Sequence, residues 1–132
     1  MSIKVINPEV LGFPRGYSNG VIVDSPGRLL FIAGQVAWDA TQQIVSKDLV
    51  IQFDRALGNV IAVVTEAGGS PDRIVRMTIY VTNVEEYRAA TSEIGERYRS
   101  RMGKHFPAMV LVEVSKLLEP GAKIEIDATA VL

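Results

Sequence analysis

From residue 47 to 67 the apolar side chains Leu49, Phe53, Ala56, Leu57, Val60, Val64 and Ala67 recur at spacings of three and four. That spacing predicts a long helix with one buried face. Gly68-Gly69 stops it and Ser70-Pro71-Asp72 turns the chain. The period then changes to two, with Val75, Met77, Ile79 and Val81 alternating with Arg76, Thr78 and Tyr80, as in a strand buried on one side. Asn83, with Glu86 three positions on, resembles a capping box. It opens a second helix whose apolar face is Tyr87, Ala90, Ile94, Tyr98 and Met102, ending at Gly103. Two strands follow, over 109–114 and 123–131; in the second, Ile124, Ile126, Ala128 and Ala130 alternate with Lys123, Glu125, Asp127 and Thr129. Upstream, 17–23 and 29–34 are β-type runs separated by Asp24-Ser25-Pro26-Gly27, which predicts a hairpin, and 39–45 reads as an irregular connection.

The predicted order is ββαβαββ, an α+β two-layer domain with a mixed sheet and two helices on one face. The other face must also be covered. Strict alternation assigns it Arg76, Thr78 and Tyr80, then Met109, Leu111 and Glu113, then Lys123, Glu125, Asp127 and Thr129. Such a surface is too apolar for water at Met109, Leu111 and Tyr80, and too charged for the core of one chain. Contact between copies resolves the conflict, so the pattern predicts a homo-oligomer with ionisable groups at its seams.

Composition narrows the functional classes. At 132 residues and 48% hydrophobic the chain is expected to form one domain, 1–132. Lys and Arg number 14 against 15 for Asp and Glu, so no global positive field draws it to nucleic acid or to an anionic membrane. The apolar runs at 60–64 and 108–112 are far too short for a bilayer span. The first residues show no targeting pattern. The absence of cysteine excludes disulfides, a thiol nucleophile and sulfur-ligated zinc, and fits a cytoplasmic location.

Most catalytic toolkits are missing. A single histidine, His105, excludes histidine-rich metal sites, and its place after a helix end suits a structural role beside the helix dipole. No glycine-rich phosphate-binding motif occurs. Arg97, Arg99, Arg101, Lys104 and His105 form the basic cluster that an RNA-binding reading would use, but Lys and Arg in a last helical turn, pointing in different directions, better suit a solvated helix end. Glu113, Glu125 and Asp127 are the acid/base candidates, with Arg76 and Lys123 on the same predicted face; interface ion pairs are the competing reading.

Several phrases, in order along nearly the whole chain, resemble the reactive intermediate deaminase (Rid, or YjgF) family, once labelled endoribonuclease L-PSP. They are Gly16-Tyr17-Ser18-Asn19-Gly20, Ala33-Gly34-Gln35, Phe106-Pro107-Ala108, Val112-Glu113-Val114 and Lys123-Ile124-Glu125-Ile126-Asp127-Ala128. The resemblance implies a chorismate-mutase-like fold and a barrel-shaped homotrimer with clefts between subunits. It also implies hydrolysis of imines or enamines to a keto compound and ammonia, without metal or cofactor. Carried over, it marks Tyr17 and the water-positioning Glu125 as catalytic and Gly34 as a backbone contributor. The family's carboxylate-gripping arginine is replaced by Met109, with Leu111 two places on and Ala33 before the glycine. A deaminase acting on something other than the archetypal 2-imino acids is therefore expected, with Arg76 a possible substitute anchor. A ligand-binding trimer without turnover and an endoribonuclease-type RNA-binding protein are the alternatives.

Overall fold

The computed structural model describes residues 2–24 and 27–132. Its main elements, in chain order, are β1 (Ser2–Ile6), β2 (Gly20–Asp24), β3 (Leu29–Gln35), α1 (Leu49–Glu66), β4 (Ile74–Val81), α2 (Val84–Ala89), α3 (Thr91–Met102), β5 (Ala108–Glu113) and β6 (Ile124–Val131). Four strands form one mixed sheet in the order β3-β6-β4-β5, with β4 and β5 parallel and the other pairs antiparallel. The α+β architecture is as predicted. The order differs in two ways: an additional N-terminal strand, and a second helix divided in two at Ala90 (φ −108°, ψ 10°), whose N–H bonds the Tyr87 carbonyl in a tighter turn.

The predicted hairpin is not formed. β2 pairs with β1, from Ser2 opposite Asp24 to Ile6 opposite Gly20, while β3 pairs with β6. Turn residues mark a change of direction without specifying which sheet either flanking run joins. Ser25 and Pro26 of that turn lie outside the described residues. Tyr17 precedes β2, and Ser18 ties this stretch to the start of β5: its N–H donates to the Pro107 carbonyl and its hydroxyl to that of Phe106.

α1 begins where Asp48 accepts the Ile51 N–H at 3.1 Å and buries Phe53, Ala56, Leu57, Val60 and Val64 against the sheet. Gln52 is also buried in that face. Its amide donates to the carbonyls of Ser46 and Gly121 and accepts the Lys123 N–H, so the cost of burying it is offset at three points. α3 adds Ile94, Tyr98 and Met102 to the core. Asn83 caps α2 by accepting the Glu86 N–H, but Glu86 does not reach back as a full capping box would; it pairs with Lys123 Nζ at 2.8 Å.

Strand register decides which residues share a face. Met77 lies beside Met109 and Ala128, and Ile79 beside Leu111 and Ile126, all toward the helices. On the open face Arg76 neighbours Ala108 and Thr129, Thr78 neighbours Val110 and Asp127, and Tyr80 neighbours Val112 and Glu125. Met109 and Leu111 were expected on the open face and lie on the opposite one. β5 is apolar at four successive positions, 109–112, so alternation defines two faces there without telling which is inward. The parallel pairing with β4 makes the choice. Val110 (43% exposed), Val112 (39%) and, from β3, Phe31 (74%) leave the open face more apolar than expected. No helix among the described residues is long and apolar enough to cross a membrane.

Candidate functional site

On the open face, the β3-β6 register shifts between Ile32 and Gln35, and Gly34 lies in that irregularity. A Cβ at Gly34 would overlap the Glu125 carboxyl group in its present position, so the absence of a side chain lets that carboxylate lie close against the β3 backbone, and any larger residue would make it swing aside. Glu125 stands opposite Tyr80, whose hydroxyl donates to Asp127 Oδ2 at 3.2 Å. The charge of Asp127, then loss of water, raise the pKa of Tyr80 above the ordinary tyrosine value, with Glu125 adding to the shift and Arg76 opposing it. Tyr80 is thus held as a neutral donor. Together Gly34, Glu125, Tyr80, Asp127 and Arg76 form a half-open polar cluster in which a carboxylate faces backbone at close range. Such an arrangement can hold and polarise a water molecule.

The second group lies toward the helices. A cavity of about 550 Å³ is walled by Tyr17, Tyr87, Phe106, Met109 and Leu111, with Arg15 and Arg99 also lining it. Its aromatic floor is rigid: Tyr98 and Phe106 stack with ring centres 5.3 Å apart, and the Tyr98 hydroxyl donates to the His105 carbonyl at 2.6 Å. Burial pushes the Tyr87 and Tyr98 hydroxyls above their ordinary range. The His105 ring closes the other side of this corner, with Nε2 2.6 Å from the Ile74 carbonyl. That contact joins it to a strand backbone, where a position beside the helix dipole was expected. Across the 15–17 segment a further cavity of about 800 Å³ shares Arg15, Gly16, Tyr17 and Phe106 as walls.

The structure therefore brings Tyr17, Met109 and Leu111 together, and separately brings Gly34 and Glu125 together, on opposite sides of one sheet. Arg76 belongs with the second group, so within one chain it does not stand in for an arginine at Met109. Glu113 leaves the acid/base set, because its Oε1 accepts the Val84 N–H at the start of α2, and Lys123 is occupied by Glu86. The basic cluster is divided as well. Arg97 and Arg101, one turn apart on the same side of α3, both grip Asp54 of α1, at 3.1 and 2.7 Å. The Arg101 hydrogen bond chiefly holds the Asp54 carboxyl below its ordinary pKa. Arg15 escaped notice in the sequence, although its place two residues before Tyr17 was a usable signal. Among the described residues no three His, Asp or Glu side chains gather as a metal-binding set.

Comparison with known proteins gives this geometry its family. The family model described as Endoribonuclease L-PSP matches residues 12–132. Protein DfrA of Myxococcus xanthus is 38% identical over 125 residues, covering 94% of this chain and 88% of that protein. The 2-iminobutanoate/2-iminopropanoate deaminase of Salmonella typhimurium is 32% identical over 105 residues, 80% of each chain. Among solved structures, YyfB of Yersinia pestis, a protein of unknown function of the conserved Rid family, superposes with a TM-score of 0.87 at 36% identity over 100% of both chains. The chain belongs to the Rid (YjgF, endoribonuclease L-PSP) family.

Proposed function

We propose that this protein is a cofactor-independent hydrolase of imines or enamines, acting in clefts between the subunits of a homotrimer. The observation that carries this reading is the close approach of Gly34 to the Glu125 carboxyl group on the open sheet face. It keeps the water-handling half of a deaminase site although the family arginine is replaced by Met109. Water held by Glu125 adds its oxygen to the imine carbon while a proton passes to the carboxylate. The nitrogen takes up a proton, the carbon–nitrogen bond breaks, and ammonia leaves as the carbonyl forms. Tyr17, Met109 and Leu111 lie on the other side of the sheet, so a second copy must bring its own pocket to this carboxylate. The exposed Phe31, Val110 and Val112 supply apolar surface for such an assembly.

Ammonia release from imines generated in solution is the direct test. Glu125→Gln keeps the shape and removes the base, so turnover should fall about 100-fold or more with the oligomer intact. Unchanged turnover would place the chemistry elsewhere. Loss of the oligomer would instead mark Glu125 as a structural interface group. A binding protein without turnover is the second reading, favoured by Met109, whose thioether offers only a weak acceptor where the family has a guanidinium fork. It predicts ligand binding in the parent protein with no ammonia release.

A further inference from the structure

Arg99 is set apart from the other arginines of its helix. Arg97 and Arg101 are committed to Asp54; in the neighbouring α2, Arg88 is committed to Glu85. Among the described residues, neither Arg99 nor Arg15 pairs with a carboxylate, and both line the cavity that holds Tyr17 and Met109. Thr91, Gly95 and Arg99, at intervals of four, form the stripe of α3 that borders it. A Cβ on Gly95 would stand 3.1 Å from Arg99 Nη1. The guanidinium is thus folded back along the helix, over the space that a side chain at 95 would take. Glycine in mid-helix costs about 1 kcal/mol relative to alanine, and a Cβ here would shift the guanidinium by only a few tenths of an ångström.

The lining contains two guanidinium groups and no acidic side chain, in a protein whose net charge is −1. Apart from Thr91, its remaining walls are aromatic or apolar, with Met109 as the adaptable one. We infer that this pocket takes a small organic anion with a flat, unsaturated body, its carboxylate held by Arg99 with Arg15 as the second charge. The anion anchor of the cleft has thereby moved from position 109 to the α3 stripe, and 2-oxo or 2-imino acids with a bulky unsaturated substituent are the fitting class. This inference rests on the pocket being the substrate side of the proposed cleft. It also changes the reading of Met109: the replacement relocates the anion site and makes space for the body of the ligand.

Calorimetric titration of the intact oligomer with benzoylformate and with acetophenone, the matching ketone without the carboxylate, tests it. The parent protein should prefer benzoylformate by at least about tenfold, since charge-assisted hydrogen bonds to a guanidinium are the strong ones. Arg99→Gln should remove most of that preference and leave acetophenone binding unchanged; Arg15→Gln should remove less, and Arg97→Gln none. Equal affinity for both compounds in the parent, or a preference that survives Arg99→Gln, overturns the inference. So does a preference abolished by Arg15→Gln alone. Hydrolysis of a neutral imine that depends on Glu125, with no preference for the anion, would sink this inference and leave the proposed function standing. Arg99-dependent anion binding without ammonia release from any imine would do the reverse.

Discussion

The two faces of the four-stranded sheet are built for different tasks. On the helix side, Met77, Ile79, Ile124 and Ile126 meet α1 and α3 in a core that is complete within one chain, and at its margin Tyr17, Met109 and Leu111 border a cavity. On the open side, Glu125, Tyr80, Asp127 and Arg76 sit among Phe31, Val110 and Val112, and nothing among the described residues covers them. The first face is self-sufficient for folding, and no carboxylate lines its cavity. The second has the acid and base groups and lacks a roof. A site made from both therefore requires two copies, and in the proposed function the sheet separates the pocket from the water-handling carboxylate inside each subunit.

Subunit mixing tests that division with the largest expected effect. Glu125→Gln disables the open face and Tyr17→Ala opens the pocket, and each alone should be nearly inactive. In randomly mixed trimers of the proposed kind, each cleft draws its two halves from different subunits. About one cleft in four is then intact, and about a quarter of parental ammonia release should return. No recovery in verified mixed trimers would mean that both halves of a working site come from one chain, and the comparison of faces would lose its functional meaning.

Much of this was legible in the sequence, and the gaps have physical causes. The buried stripe of α1, the alternation in β4 and β6 and the Asn83 cap are local patterns, and each leaves its trace in residue spacing. The face on which Met109 lies is not local: it depends on how β5 pairs with β4, from which two helices separate it in sequence, and the apolar run at 109–112 leaves both choices open. The same holds for β2, whose partner β1 is set by a pairing across the chain end. Arg97 and Arg101 looked like a free basic patch because Asp54, their partner, is more than forty residues away in sequence. Glu125 was identifiable from the family resemblance, but its contact with Gly34 needed the β3 irregularity to be seen.

That contact can be isolated by a double-mutant cycle. Gly34→Ala puts a Cβ where the Glu125 carboxyl group lies, and moving that flexible side chain aside should cost no more than about 1 kcal/mol of stability, read from denaturant midpoints. In a Glu125→Ala background the same substitution should cost much less, because the obstructing group is gone. Equal costs in both backgrounds would show that Gly34 answers to backbone conformation alone, and the close approach would then have no bearing on the carboxylate.

The smallest effect distinguishes the faces by their response to pH. In the helical layer, Asp54 is held below its ordinary pKa chiefly by Arg101, so its ion pair adds stability above about pH 4, where unfolded aspartates are already charged. That increment is lost as pH falls through the lower folded value. On the open face Tyr80 is shifted upward, chiefly by Asp127, so the sign is opposite: its contribution is present below about pH 10 and lost as pH rises through the higher folded value. Asp54→Asn should flatten only the acid limb of the stability profile, by less than about 1 kcal/mol because the pair is partly exposed and screened. Tyr80→Phe should flatten only the alkaline limb, and incompletely, since burial shifts Tyr87 and Tyr98 in the same direction. Thermal melts from pH 2 to pH 11 on both variants would read the two limbs separately. If Asp54→Asn altered the alkaline limb, or Tyr80→Phe the acid one, the two faces would be electrostatically coupled through the sheet, and treating them as independent halves would be wrong.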